Sequence, residues 1–274
     1  MKEHIAKVVC CPACHGELAF ASTQLSCSAC AARYQIQGEV PVFVNKQPEI
    51  VSLEHQSNPI GGDYETVLRE GNDFVLHIGA GATTLKYPNC IELEHKIFRN
   101  TDVVGDAHAL PFRDNTFDRV FAFNVFEHLR SPRRAAAEVL RVLKPNGLVA
   151  IHTAFLQPLH EAPAHFFNAT EFGVRSWFSQ FDIEKCHVSD NFAPGVMLAF
   201  LMSAVAQSMR EAGISAEKQS HVLESRMGEW AELWDTRFAN PPDSFAILQS
   251  LPQLQQKSIA AGFELLARKP PAAT

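Results

Sequence analysis

The stretch that decides the fold lies between Asp102 and Leu148 and reads DVVGDAHALPFRDNTFDRVFAFNVFEHLRSPRRAAAEVLRVLKPNGL. Within it, the segment Asp118–Phe123 predicts a short buried strand. Ser131-Pro132 predicts the start of a helix, because Ser is a favoured N-cap and Pro fits the first helical position. Lys144-Pro145-Asn146-Gly147 predicts its end, and a further strand is expected over Leu148–His152. Strand, helix and strand in this order indicate a parallel, doubly wound sheet.

Strands are also predicted on both sides of this stretch. Upstream, the apolar run Asn72–Ile78 ends in Gly79-Ala80-Gly81, which indicates a buried strand that opens into a glycine turn, and Cys90–Leu93 is a second short strand. Downstream, Gln180–Val188 and Ala261–Lys269 are predicted strands, with about seventy residues of helical pattern between them.

The expected architecture is α/β, with a doubly wound, mostly parallel, seven-stranded sheet and a helical insertion before the last strand. A small ribbon precedes this domain. The predicted parts are a ribbon at 1–48, a linker at 49–71 and an α/β domain at 72–274, with a helical lid at about 192–257.

Four of the seven cysteines form two CxxC pairs, Cys11-Pro-Ala-Cys14 and Cys27-Ser-Ala-Cys30. A CxxC pair places two thiolates on one tight turn, so two pairs supply the closed tetrahedral sulfur set of a structural zinc ion. In a reducing compartment this spacing indicates a zinc ribbon before it indicates disulfides or a redox pair. Cys10 is left over, because the CxxC spacing selects Cys11.

Polar groups suited to a nucleoside cofactor follow the predicted strands. The glycine turn lets backbone N–H groups approach a ligand closely. Glu94 follows Cys90–Leu93, where a carboxylate can accept both ribose hydroxyls. Asp106 can bind the amino group of adenine, while the Ala107 N–H can donate to a ring nitrogen. Asn124 lies at the end of the third strand, in a segment expected under the adenosine and facing the substrate.

Taken in this order, these pieces resemble the class I (Rossmann-like) S-adenosylmethionine-dependent methyltransferase family over roughly residues 72–190. The motifs that carry the resemblance are DAHALPF, DNTFD, FEH and EVLRVLKPNG. The resemblance implies a methyltransferase in which Gly79 and Gly81 hold the methionine part of S-adenosylmethionine. It also implies that Glu94 binds ribose and that Asp106 with Ala107 binds adenine. The N-terminal ribbon resembles the zinc ribbons of methyltransferase activator subunits, which implies a structural zinc site.

One residue and one segment length depart from the family pattern. His77 stands where the family usually has an acidic residue that orients the methionine amino group; a neutral His could accept the same hydrogen bond, whereas a charged one would oppose the cofactor's positive charges. Only seven residues separate Gly81 from Asn89, too few for the usual first helix. The ribbon, the linker or the C-terminal helices are therefore expected to wall the cofactor pocket there.

The methyl acceptor is expected to bind after the strand Leu148–His152. His152, His160 and His165 fall within fourteen residues there, and each could serve as a base, as a metal ligand or as an ordinary hydrogen-bonded loop residue. We favour His152 and His165 as the substrate-facing pair. The aromatic-rich segment Pro163–Phe181 resembles methyltransferases of bacterial glycan and natural-product pathways, so the favoured reaction is O-methylation of a small molecule or glycan.

Composition narrows the function classes. The formal net charge of −6 argues against a protein that mainly binds a phosphate backbone. Met1–Phe20 lacks the apolar core of a secretory signal, and the apolar stretch Val196–Ala206 is shorter than the roughly 20 residues of a membrane span. We therefore expect a cytoplasmic protein without a membrane span. Two alternatives stay open: an rRNA or tRNA base methyltransferase, and a non-catalytic binding partner on a methyltransferase fold.

Overall fold

The sheet of this computed structural model starts in the N-terminal ribbon and continues into the α/β domain; the structure describes residues 1–55, 57, 60–239 and 241–261. In spatial order its strands are β1-β2-β3-β4-β7-β6-β5-β8-β9. β1 to β4 pair antiparallel with one another, and the remaining neighbours pair in parallel. The fold is thus α/β with a mostly parallel sheet, as predicted. In chain order, β1 to β9 span Leu18–Phe20, Gln24–Cys27, Arg33–Gln37, Val40–Val42, Val75–Ile78, Cys90–Glu94, Val103–Val104, Phe117–Phe123 and Leu143–His152.

Helices precede, connect and follow these strands. The predicted helix start is confirmed, because α3 has Ser131 as its N-cap and Pro132 at its first position. In chain order, α1 to α9 span Glu3–Val8, Gly62–Glu70, Pro132–Val142, Glu171–Trp177, Pro194–Glu211, Ala216–Leu223, Met227–Asp235, Asp243–Gln249 and Gln253–Ile259.

Helices cover both faces of the parallel strands. Because side chains alternate along a strand, Leu76 of β5 packs in one buried cluster with Val139 of α3. Its neighbour Val75 packs in a second cluster with Leu68 of α2. α2 lies within residues 49–71, the segment expected to be a linker, so this segment supplies a helix that covers one face of the sheet. Residues 82–89, where the family usually has its first helix, form no helix.

The ribbon continues the central sheet. Val42 of β4 pairs in parallel with Val104 of β7, and the Phe43 N–H donates to the Val104 carbonyl at 2.8 Å. A second junction follows α1, where the Cys10 N–H donates to the Pro111 carbonyl at 3.0 Å. Through these backbone bonds the ribbon forms the outer part of one sheet, which has nine strands among the described residues.

This junction changes the predicted strand count. Of the nine strands in the described part of the chain, four belong to the ribbon and five to the α/β domain. The strand predicted over Gln180–Val188 is wrong: these residues form a turn and irregular backbone. Their alternation arises because Phe181 and Ile183 pack against the core cluster without pairing to a neighbouring strand. The strand predicted over Ala261–Lys269 lies, apart from Ala261, outside the described residues.

The chain divides into two compact units. The first contains Met1–Phe155 and Pro163–His187, and the second contains Leu156–Ala162 with the described residues from Val188 on. The second unit is helical and has its own core, formed by Val205, Met209, Val222 and Leu251. Its role as a lid stays a prediction, as do the domain boundaries drawn from the sequence. Within the described ranges, no helix has the length and apolar character to cross a membrane.

Candidate functional site

The C-terminal ends of the parallel strands collect most of the predicted site residues. The glycine turn follows β5, Glu94 ends β6, Asp106 follows β7 and Asn124 follows β8. The chain builds outward from β5 through β6 to β7, then crosses back to β8 and β9 on the other side. Such a reversal of strand order creates a crevice at the strand ends, which is where open α/β sheets bind their ligands.

The glycine turn is tightly packed at both of its glycines. Gly79 and Gly81 have φ of +67° and +66°, a region that favours glycine. A Cβ atom on Gly79 would lie 2.4 Å from Val125 Cγ2, and one on Gly81 would lie 2.4 Å from Ser57 Oγ. The Ser57 hydroxyl also accepts a hydrogen bond from the Ala82 N–H at 2.9 Å. The turn is therefore restricted to glycine by both backbone conformation and space.

Glu94 connects the turn to the neighbouring strand. This residue is only 5% exposed, and its Oε1 accepts a hydrogen bond from the Gly81 N–H at 2.6 Å. Its Oε2 accepts one from the His95 N–H at 3.0 Å. A carboxylate offers about four acceptor positions, so these bonds leave capacity for ribose hydroxyls.

Asp106 and Ala107 differ in exposure. The Asp106 side chain is 57% exposed and can meet an incoming base, whereas Ala107 is buried. Asn124 is exposed, has φ of +56°, and donates its backbone N–H to the His152 carbonyl at 2.9 Å. At this edge of the sheet, beside the glycine turn, Glu94 can accept hydrogen bonds from ribose hydroxyls and Asp106 can accept one from an adenine amino group. The residues present therefore fit a nucleoside cofactor.

His77 is buried within the sheet layer and uncharged at neutral pH. Burial, together with the positive charge of Lys86, lowers the pKa of His77 to about 4. Its ring makes an edge contact with Phe123, and its Nδ1 has no hydrogen-bond partner among the described residues. A neutral imidazole with an unused nitrogen can exchange a hydrogen bond with the amino end of S-adenosylmethionine without adding a positive charge.

A buried charge cluster beside His77 was not anticipated from the sequence. Glu92 is 2% exposed; its carboxylate accepts from Thr83 Oγ1 at 2.8 Å and lies 3.3 Å from Lys86 Nζ. Burial raises the pKa of Glu92 to about 7 against the opposing effect of Lys86. Lys86 also bonds to the buried Asp102, which binds Lys2 at 2.9 Å. The strand sequence CIELE could have indicated this cluster, because it places two glutamates in a buried strand and a buried carboxylate needs partners.

The candidate acceptor histidines have separate surroundings. The His152 ring stacks on Phe123 with centroids 4.3 Å apart, and burial together with the charge of His187 lowers its pKa. The His165 ring lies 5.7 Å from that of His128, and His165 Nε2 is 3.1 Å from the Phe167 carbonyl oxygen. His160 belongs to the second unit. The three histidines thus do not form one cluster within either unit.

The four predicted metal ligands do come together. Sulfur atoms of Cys11, Cys14, Cys27 and Cys30 all lie within 4.8 Å of one another, with Cys11–Cys30 at 3.6 Å and Cys14–Cys27 at 3.4 Å. A tetrahedral zinc ion with Zn–S bonds of about 2.3 Å needs sulfur atoms about 3.8 Å apart. Without an ion the four thiols divide their protons: backbone N–H groups of Cys30 and Ala29 help lower the pKa of Cys27 to about 7, whereas the nearby sulfurs of Cys30 and Cys27 raise the pKa of Cys14 to about 12 against a hydrogen bond from the Gly16 N–H. The donor set fits zinc.

Comparison with known proteins finds a similarity to methyltransferases in the α/β part. Residues 85–151 match a family profile described as a methyltransferase domain. A ubiquinone/menaquinone biosynthesis C-methyltransferase of Pasteurella multocida is 24% identical over 164 residues, which cover 57% of this chain and 55% of that protein. A malonyl-[acyl-carrier protein] O-methyltransferase of Geobacter sulfurreducens is 34% identical over 97 residues, which cover 28% of this chain and 36% of that protein. The chain thus spans only part of these curated relatives.

A solved structure gives a weaker likeness. A SAM-dependent methyltransferase of Aquifex aeolicus has 21% sequence identity and a TM-score of 0.34, over 46% of this chain and 82% of that one.

Proposed function

We propose that this chain is an S-adenosylmethionine-dependent methyltransferase that acts on a small molecule. The observation that carries the proposal is the convergence of the glycine turn, Glu94, Asp106 and Asn124 at one edge of the parallel strands. The matched methyltransferase domain begins at residue 85 and includes the last three of these features.

Each residue at the edge has a distinct role in the proposal. S-adenosylmethionine, when bound, supplies an electrophilic methyl group on its sulfonium. Gly79 and Gly81 let the backbone approach the methionine part, and the neutral His77 lies below them on β5. Glu94 accepts the ribose hydroxyls, while Asp106 and the Ala107 N–H bind adenine. Asn124 lies at the end of β8, between cofactor and acceptor.

For the acceptor reaction we favour O-methylation of a small molecule or glycan, with His152 or His165 as the base. The lowered pKa keeps His152 neutral at physiological pH, the state in which an imidazole can accept a proton from a hydroxyl. The relatives include three proteins named C-methyltransferases and one named an O-methyltransferase. The accepting atom is thus the part of the proposal that most needs an experiment.

Calorimetry with S-adenosylmethionine and S-adenosylhomocysteine tests the cofactor part. Wild type should bind both, and Glu94→Gln should weaken binding about tenfold or more, because the amide offers the ribose hydroxyls fewer acceptor positions. Glu70→Gln at the exposed end of α2 is the matched control and should bind like wild type. No binding by wild type at high ligand concentration would reject the enzyme and leave the non-catalytic alternative.

Transfer of a labelled methyl group to a fractionated metabolite extract tests the acceptor part. Analysis of the labelled product would identify the accepting atom, and a product labelled on carbon would contradict O-methylation. His152→Ala and His165→Ala would then be compared at a fixed cofactor concentration. A base is expected to contribute roughly 100-fold or more to turnover. Unchanged turnover in either variant would remove that residue as the base.

We also propose that Cys11, Cys14, Cys27 and Cys30 bind a structural zinc ion. Four thiolates complete a tetrahedral coordination shell, so no position is left for a substrate or an activated water. The ribbon contributes to the fold through its bonds to β7, and we assign it no chemistry.

A further inference from the structure

A single residue, His108, holds the carboxylate of Asp106. The His108 backbone N–H donates to Asp106 Oδ1 at 2.9 Å, and His108 Nδ1 lies 2.6 Å from the same oxygen. The Asp106 side chain is 57% exposed, whereas that of His108 is 17% exposed. Two contacts on Oδ1 restrict rotation of the carboxylate, so the direction of Oδ2 is restricted as well.

The hydrogen-bond partners of His108 define its tautomer. The Ser131 backbone N–H donates to His108 Nε2 at 3.1 Å. An N–H group can only donate, so Nε2 carries the lone pair and the neutral ring carries its proton on Nδ1. That proton is directed at Asp106 Oδ1. The resulting bond to a charged acceptor belongs to the stronger class of hydrogen bonds.

Helix α3 anchors this arrangement. Ser131 is the N-cap of α3, and Arg134 in its first turn donates from Nε to the His108 carbonyl at 2.8 Å. His108 is therefore held through both its ring and its backbone. The exposed Asp106 carboxylate thus takes its orientation from His108 in its own short loop, and α3 holds that histidine in place.

We propose that His108 is a positioning residue that orients the Asp106 carboxylate toward the 6-amino group of adenine, so that the chain selects 6-aminopurine over 6-oxopurine ligands. The inference rests on the proposed function, because it takes the Asp106 end of the crevice as the adenine site. A 6-amino group donates to the carboxylate, whereas a 6-oxo group presents lone pairs that repel it. Selectivity of this kind requires that the carboxylate cannot rotate away.

The test compares binding of S-adenosylhomocysteine with binding of its hypoxanthine analogue, S-inosylhomocysteine, by calorimetry. Wild type should prefer the adenine ligand. His108→Ala should weaken adenine-ligand binding by about five- to tenfold and reduce the preference. His108→Asn places an amide donor near the position of Nδ1 and should keep the preference. His108→Gln places its amide near the position of Nε2 and should lose it. His221→Ala, exposed on α6, is the control.

The outcomes distinguish a failure of the positioning role of His108 from a failure of the proposed methyltransferase function. Binding by wild type with an unchanged preference in His108→Ala and His108→Gln would overturn the positioning role. A parallel loss for both ligands would also overturn it, because a merely structural defect weakens both alike. Absence of binding by wild type would overturn the proposed function, and the inference with it. If His108→Ala fails to fold, the contrast between the Asn and Gln variants decides.

Discussion

His77 and Glu92 lie side by side in register on β5 and β6, and burial moves their pKa values in opposite directions. The pKa of the imidazole falls to about 4, and that of the carboxyl rises to about 7. Between these values both groups are uncharged. The sheet layer below the glycine turn thus holds two neighbouring titratable groups that each favour the neutral form. Replacing one group at a time separates their effects on how the free energy of unfolding depends on pH.

Wild type should lose stability as the pH falls because His77 is buried in its neutral form, and His77→Leu should remove this loss. The pKa of His77 is about 4 in the folded protein and 6.5 in the unfolded chain, so the unfolded state binds its proton first as the pH falls. The penalty is absent above pH 6.5, grows to about 3 kcal/mol near pH 4, and is constant below. Urea unfolding of both proteins from pH 7 to 4 measures it. Parallel curves for variant and wild type would contradict the burial of a neutral His77.

Glu92→Gln should show the opposite dependence. The pKa of Glu92 rises from 4.5 to about 7 on folding, so stability from this group is complete below pH 4.5 and is lost as the pH rises to 7. The variant should gain up to about 3 kcal/mol relative to wild type across this window. Glu92 is uncharged in the folded wild type over most of this window, so loss of its ion pair with Lys86 affects the comparison only as the pH approaches and passes 7. A difference that shrinks from pH 4.5 to 7 would reject the assignment.

Gly79→Ala should destabilise the protein more than Gly38→Ala. Both glycines have positive φ, +67° and +62°, so both substitutions carry similar backbone strain. A Cβ at position 79 would lie 2.4 Å from Val125 Cγ2, whereas one at position 38 meets nothing within 4 Å. We expect the first variant to be about 1–3 kcal/mol less stable than the second in chemical denaturation. Equal stabilities would mean that Val125 moves aside without cost.

Cys27→Ser should abolish zinc binding, while Cys186→Ser should leave it intact. Cys27 belongs to the four-sulfur cluster, and Cys186 lies outside it. Metal analysis should find about one zinc ion per chain in wild type and in the control. The Cys27 variant should melt about 10 °C lower, because the ligand loss removes binding energy from the folded state.

Cys10→Ala checks the choice of first ligand. Its neighbour Cys11 is the residue in the cluster, and Cys10 is buried beside it. The variant should retain its zinc. Loss of zinc here would shift the ligand assignment by one residue.

The sequence allowed prediction of features that depend on neighbours along the chain. Apolar runs located β5, β6 and β8, and the Ser131-Pro132 pair located α3. The contact between Asp106 and His108 was also local, two residues apart, but its meaning required Ser131, which fixes the tautomer.

Features that depend on distant pairings could not be predicted in this way. The cluster of Lys2, Lys86 and Asp102 joins residues up to 100 positions apart, and none of them has a local pattern that marks it. The pairing of β4 with β7 is equally remote, since an isolated strand sequence does not specify its partner. The error at Gln180–Val188 has the same origin. Alternating apolar residues indicate a buried side of the segment, and only a free sheet edge could turn that segment into a strand.

The pairing of β4 with β7 also bears on how the protein can be dissected. Because the ribbon occupies the edge of β7, a fragment that starts at residue 49 would present an unpaired strand edge to other molecules, a template for aggregation. The same fragment would lack Lys2 and leave the buried Asp102 with less compensating charge. The ribbon is therefore an integral part of the sheet of the α/β domain. We expect a fragment that lacks the ribbon to be insoluble when it is expressed.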